Sequence, residues 1–111
     1  MDPKEAYGML RNDFAVLLDV REENEISQGM VAGSLWMPFT SKIEKNAPEW
    51  ESWRDTLPKD KLIIVYCRSG RRSGIVAELL AAKGFRVANM GAFDDWVKAG
   101  LPLKKSEPEN Q

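Results

Sequence analysis

The chain has 111 residues, 43% of them hydrophobic and 30% charged, with a formal net charge of -1. That balance fits one soluble folded domain and argues against a nucleic-acid-binding or acidic-membrane-binding segment. No apolar run approaches the roughly 20 residues that span a bilayer, and the polar start Met1 to Glu5 does not read as a secretion signal. One cysteine and no histidine exclude an internal disulfide, most structural zinc sites and any nucleophile that relies on an imidazole base.

Asp2-Pro3-Lys4-Glu5 predicts a helix start, with Asp2 as cap, Pro3 in the first turn and Glu5 completing a capping box. Ala6, Tyr7 and Leu10 give that helix its apolar face. Residues 14–20 form an apolar run that suits a strand buried on both faces. Glu22 to Gln28 predicts a short helix stopped by Gly29, and Ser34 to Met37 a second short strand closed by Pro38. Residues 48–57 carry Trp50, Trp53 and Leu57 at helical spacing.

The next unit has the strongest signal. Lys61 to Tyr66 predicts a buried strand, Cys67 to Ser73 a turn, and Ile75, Val76, Leu79, Leu80 and Ala82 the inward face of a helix. Gly84 suits the left-handed position that ends the helix, with Phe85 packing back on Leu80. A strand over Arg86 to Met90 and a helix over Ala92 to Ala99 follow. Lys104 to Gln111 is expected to be a polar, frayed tail, so the domain is expected over residues 1–103. Strands alternating with helices predict an α/β fold: a central, mainly parallel sheet with helices on both faces.

In such sheets, sites form where strand ends meet helix N-termini, and Cys67 stands at that junction. Its loop, Cys67-Arg68-Ser69-Gly70-Arg71-Arg72-Ser73, places several backbone N–H groups around one point. Those donors, the helix dipole and the guanidinium groups all favour thiolate over thiol. A free thiol with pKa about 8.5 is only ~3% ionised at pH 7; a fall of about two units makes the nucleophile the major form without a general base. A cysteine closing an apolar strand is more often inert core, but here a polar, cationic loop follows it and runs directly into a helix.

These segments resemble the rhodanese family. Asp19-Val20-Arg21-Glu22 with Glu25, Gly29, Val31, Gly33 and Pro38 is similar to its first signature. Tyr66 to Ser73 resembles the active-site loop of single-domain members, and Asn89 to Trp96 with Ala99-Gly100-Leu101-Pro102 the closing segment. The resemblance spans about residues 2 to 103 and implies a rhodanese-like fold. It implies a sulfurtransferase in which Cys67 carries sulfur as a persulfide, from thiosulfate or a similar anionic donor to a thiol or cyanide acceptor, or to an acceptor on another protein. It makes Arg68, Ser69, Gly70, Arg71, Arg72 and Ser73 the substrate-binding loop, with Arg68 and Arg72 touching the donor and Arg71 facing solvent. Asp19 and Arg21 become supporting residues around the site. No cofactor or metal is implied.

Three features depart from the family pattern. Met30 stands where histidine is common, at a position whose role is structural. Trp36 stands where asparagine is common, at the expected mouth of the pocket, as a stacking wall or an ordinary half-buried aromatic. The sequence begins at the first helix, where members commonly have a preceding short strand, which suggests a trimmed or processed start.

Two rivals remain on the sequence. One is a cysteine phosphatase or arsenate reductase. The phosphatases of this fold use Cys-x5-Arg, whereas Arg72 gives Cys-x4-Arg and Ser73 fills the next position. The other is a persulfide carrier or protein-binding module without small-molecule turnover. A lone reactive thiolate points to a reducing cytoplasm, or to a periplasm if a signal has been removed.

Overall fold

The computed structural model describes residues 1–104. Among these, a four-stranded parallel sheet is built from β1 (Ala15–Asp19), β3 (Leu35–Trp36), β4 (Leu62–Cys67) and β5 (Arg86–Ala92), in the order β3-β1-β4-β5. Two two-residue strands, β2 (Met30–Val31) and β6 (Leu103–Lys104), pair antiparallel beside it. The helices are α1 (Pro3–Arg11), α2 (Glu23–Ile26), α3 (Pro48–Arg54), α4 (Arg71–Ala82) and α5 (Phe93–Lys98), with one π-helical turn over Phe39–Ile43. No helix among the described residues is long and apolar enough to cross a membrane.

The two-residue period of a strand sorts β4 into two cores. Ile63, Val65 and Cys67 face one layer with Val76 and Leu80 of α4, Trp50 of α3 and Phe39. Ile64 and Tyr66 face the other with Ala6 of α1, Leu17 of β1 and Trp96 of α5. Helices therefore cover both faces, as expected of buried parallel strands. Full burial of side chains such as Leu17, Ile64 and Leu80 stabilises the domain by roughly 1.5–3 kcal/mol each.

Several local expectations need correction. Val76 and Leu80 are buried on α4 as expected, but Ile75, Leu79 and Ala82 lie on its outward side, and Ser73 and Ala77 are buried in their place. The inward stripe thus includes a polar residue that apolar periodicity cannot select. Phe85 does return to the Leu80 core, with its N–H on the Leu80 carbonyl at 3.1 Å. Asp2 makes no side-chain cap, and the Asp2–Glu5 box is absent; the box forms at α2, where the Glu22 N–H donates to Glu25 at 2.8 Å. Phe14 is 63% exposed and precedes β1. Lys104 is not frayed: it pairs with Met30. The remainder of the expected tail, residues 105–111, lies outside the described residues.

Candidate active site

Cys67 is the last residue of β4, and Gly70 is the N-cap of α4. The turn between them closes because Gly70 adopts φ +101°, in the left-handed region that a Cβ disfavours. A Cβ there would also meet the Gly91 Cα at 3.4 Å. The turn folds the chain back over the sulfur. The Gly70 N–H reaches Cys67 Sγ at 3.0 Å, the Ser73 N–H at 3.4 Å, and the Ser73 Oγ lies 3.4 Å away.

These contacts explain the acidity of Cys67. Burial is the largest influence and pushes the thiol up. The Ser73 hydroxyl and the N–H groups of Ser73, Gly70 and Ser69 act in the opposite direction and outweigh it, so Cys67 is held below the ordinary thiol range. The loop arginines are not among the largest causes. Arg72 still senses the sulfur, for the Cys67 charge helps to raise the Arg72 pKa. Cys67 has no exposed surface.

The loop cations have different surroundings. Arg72 forms a two-point ion pair with Glu25 at 2.7 and 2.9 Å. The Arg72 hydrogen bonds pull the Glu25 carboxyl down to about 2. Glu25 also accepts the Glu22 N–H, and Glu22 in turn accepts the Thr40 N–H and the Ser41 hydroxyl. Arg68 is exposed and lines an open recess with Arg21, Asn24, Glu25, Gln28 and Phe93. Arg71 is exposed and is absent from that recess.

Asp19 and Arg21 are buried beneath this region. The Arg21 guanidinium donates to both Asp19 carboxylate oxygens at 2.8–3.1 Å and to the Gly29 carbonyl at 2.7 Å. Tyr66, the residue before Cys67, donates its hydroxyl to Asp19 and accepts the Val31 N–H at 3.1 Å. Burial and the Asp19 carboxylate push the Tyr66 hydroxyl far up, which keeps it protonated. Arg21 also lies 4.0 Å from the Phe93 ring centre, and Phe93 stacks on Tyr66. The pair thus ties β1, the β2 segment and β4 together and sets one wall of the recess. Trp36 stands elsewhere. Its Nε1 donates to the Arg21 carbonyl at 2.7 Å, and its ring lines a separate groove with Glu22, Ser27, Pro38 and Lys42.

Asn89 lies in the closing segment of the family resemblance, and no local sequence pattern marks it as a site residue. Its Nδ2 donates to the Gly70 carbonyl at 3.1 Å, and its Oδ1 accepts from the Ser73 hydroxyl at 2.7 Å and the Gly91 N–H at 2.9 Å. It therefore grips both ends of the turn around Cys67. Asn24 and Gln28 of the recess were likewise unmarked, because solvated polar residues on a short helix carry no distinctive pattern.

A parallel α/β sheet whose central strand ends in a cysteine, ringed by loop amides at a helix start, defines a protein with a buried cysteine site set among hydrogen-bond donors. The chain belongs to the rhodanese-like domain family, whose model matches residues 2–99. It is 32% identical over 104 residues to a thiosulfate sulfurtransferase GlpE of Actinobacillus succinogenes, covering 92% of this chain and 86% of the relative. It is 35% identical over 94 residues to a sulfurtransferase of Allochromatium vinosum, covering 83% and 80%. A rhodanese-related protein of Thermoplasma volcanium superposes with a TM-score of 0.77 at 25% identity, covering 96% of this chain and 97% of that one.

Proposed function

We propose that the chain is a sulfurtransferase that moves sulfane sulfur through a persulfide on Cys67. The observation that carries this reading is the set of groups converging on one sulfur atom: the Gly70 and Ser73 N–H groups donate to Cys67 Sγ, and the Ser73 Oγ lies 3.4 Å from it. The sulfurtransferase names of the matched relatives support it. With thiosulfate as donor, the Cys67 thiolate attacks the outer sulfur, the S–S bond of thiosulfate breaks, and sulfite leaves with the bonding pair. The product is an anionic persulfide that the same donors stabilise. A thiolate or cyanide acceptor then attacks the outer sulfur and returns Cys67 as thiolate. Arg68, on the rim of the recess, supplies positive charge to an incoming anion, and Arg71 adds charge from the surface. Arg72 braces the loop from its pair with Glu25 and contributes its field rather than a free guanidinium. Ser69, Gly70 and Ser73 hold the sulfur; Asp19 and Arg21 support the walls.

Incubation with thiosulfate should add one sulfur, about 32 Da, to the intact mass, and cyanide should remove it, as a single nucleophilic thiolate requires. Cys67→Ser should show neither step. Sulfur loading on the serine variant would overturn the assignment. A protein that loads sulfur but releases it only to another protein's thiol would be a carrier rather than a small-molecule enzyme.

A further inference from the structure

Asn89, Ser73 and Cys67 form a row with one hydrogen too few. The orientation of the Asn89 amide is fixed by its neighbours. Its Oδ1 faces the Gly91 N–H at 2.9 Å and its Nδ2 faces the Gly70 carbonyl at 3.1 Å; the flipped amide would set donor against donor and acceptor against acceptor. Oδ1 is therefore an acceptor, and at 2.7 Å the Ser73 hydroxyl must donate to it. Ser73 then turns lone pairs toward Cys67 Sγ, 3.4 Å away. A Cys67 thiol suits that arrangement, since its S–H donates to Ser73 Oγ. A thiolate does not, because two acceptors would face each other. The hydroxyl must rotate toward sulfur, which leaves Asn89 Oδ1 with the Gly91 N–H alone.

We propose that Asn89 and the Cys67 sulfur compete for the single hydrogen of the Ser73 hydroxyl, which makes Asn89 a positioning residue that limits how readily Cys67 carries negative charge. Ser73 and Cys67 have no exposed surface, so bulk water does not reach the contact between the Ser73 hydroxyl and the sulfur. The opposing requirement explains why Asn89 is present: the Asn89–Gly70 bond holds the turn closed in the thiol state. The inference concerns the thiolate used in the sulfur-transfer reading, but the ionisation of Cys67 is measurable without any sulfur substrate, so either idea can fail alone.

Other charges around the loop are Arg68 and Arg71 within it, Arg72 on α4 paired with Glu25 of α2, Glu22 behind that pair, and the Asp19–Arg21 pair at the end of β1. The Met1 amino group donates to the Asn89 carbonyl at 2.9 Å. None of these is altered in the test, so their effects cancel in a double-mutant cycle.

The cycle compares the parent, Ser73→Ala, Asn89→Ala and the double variant. The readout is the ultraviolet absorbance of the thiolate against pH, with Cys67→Ser as the tyrosine blank. Ser73→Ala should move the Cys67 titration to higher pH. Asn89→Ala should move it to lower pH, severalfold in the ionisation constant, and should have almost no effect once Ser73 is alanine. The same Asn89→Ala shift with and without Ser73, or a shift to higher pH, would overturn the proposal and reduce Asn89 to a loop brace. If Asn89→Ala does not fold, Asn89→Asp keeps a stronger acceptor toward Ser73 but gives up the Nδ2 bond to Gly70, a loss common to the backgrounds with and without Ser73→Ala that cancels in their comparison. It should move the titration upward by more in the presence of Ser73 than in its absence; equal shifts would likewise refute the competition.

Discussion

Arg72 on α4 and Glu25 on α2 meet through two hydrogen bonds of 2.7 and 2.9 Å, both partners largely shielded from solvent. This pair spans the only cysteine's loop and the helix that follows β1. The Glu25 pKa falls from its ordinary 4.5 to about 2 in the folded chain. A carboxyl with a depressed folded pKa adds stability that is present above the unfolded value and lost as pH falls through the folded one. Glu25→Gln should therefore lower stability by roughly 1.5–3 kcal/mol at neutral pH, the range for hydrogen bonds to charged groups. Its deficit relative to the parent should shrink as pH drops from about 4.5 to about 2. Urea melts at several pH values test this; a deficit unchanged across that window would mean that the pair is not the source.

Gly70 carries the tight turn over Cys67. Gly70→Ala must place a Cβ at φ +101°, 3.4 Å from the Gly91 backbone. The strain should cost roughly 1–3 kcal/mol or be relieved by opening the turn, which would draw the Gly70 N–H away from Sγ. Where the turn opens, the thiolate loses that donor, and sulfur loading from thiosulfate should slow markedly. Paired chemical denaturation and loading kinetics measure both effects. Normal values for both would show that the turn tolerates a side chain.

Tyr66→Phe removes a hydroxyl that donates to Asp19 and accepts from the Val31 N–H. All three groups are buried. Asp19 keeps its bonds from Arg21, but the Val31 N–H is left without this partner, which costs roughly 1–3 kcal/mol, so the variant should be less stable by about that amount. Since Tyr66 and Cys67 face opposite sides of the sheet, the Cys67 titration should move little. A large change in Cys67 ionisation would show coupling through β4.

Loop length separates sulfur chemistry from phosphate chemistry. The amides of Gly70 and Ser73 already lie 3.0 and 3.4 Å from Sγ, a ring drawn around one atom. A phosphoryl group must sit about 3–3.5 Å from the nucleophile with its oxygens in reach of donors, which a ring closed on the sulfur itself does not allow. The parent should show no aryl-phosphatase turnover. A glycine inserted between Gly70 and Arg71 should abolish sulfur loading and permit weak phosphate or arsenate binding. Assays with thiosulfate and an aryl phosphate on both proteins decide this, and Cys67-dependent phosphatase activity of the parent would contradict the sulfur reading.

Local rules made much of this protein legible. The continuous apolar run Leu62 to Val65 and the turn residues of the Cys67 loop predict strand, loop and helix start without reference to distant chain, because each depends on neighbours within a few positions. The alternation of such units determined the parallel sheet and its covering helices. Tertiary structure decided the rest. Arg72 and Glu25 are 47 residues apart, as are Tyr66 and Asp19, and no periodicity pairs them. The β2–β6 bridge is too short to leave a pattern. α4 buries Ser73 and exposes Ile75 and Leu79 because its N-terminus must aim donors at Cys67, which apolar spacing does not register. Asn89 gained its role only when β5 was laid beside β4 and its amide came within reach of Gly70 and Ser73: hydrogen bonding between strands and loops depends on distances that folding alone creates.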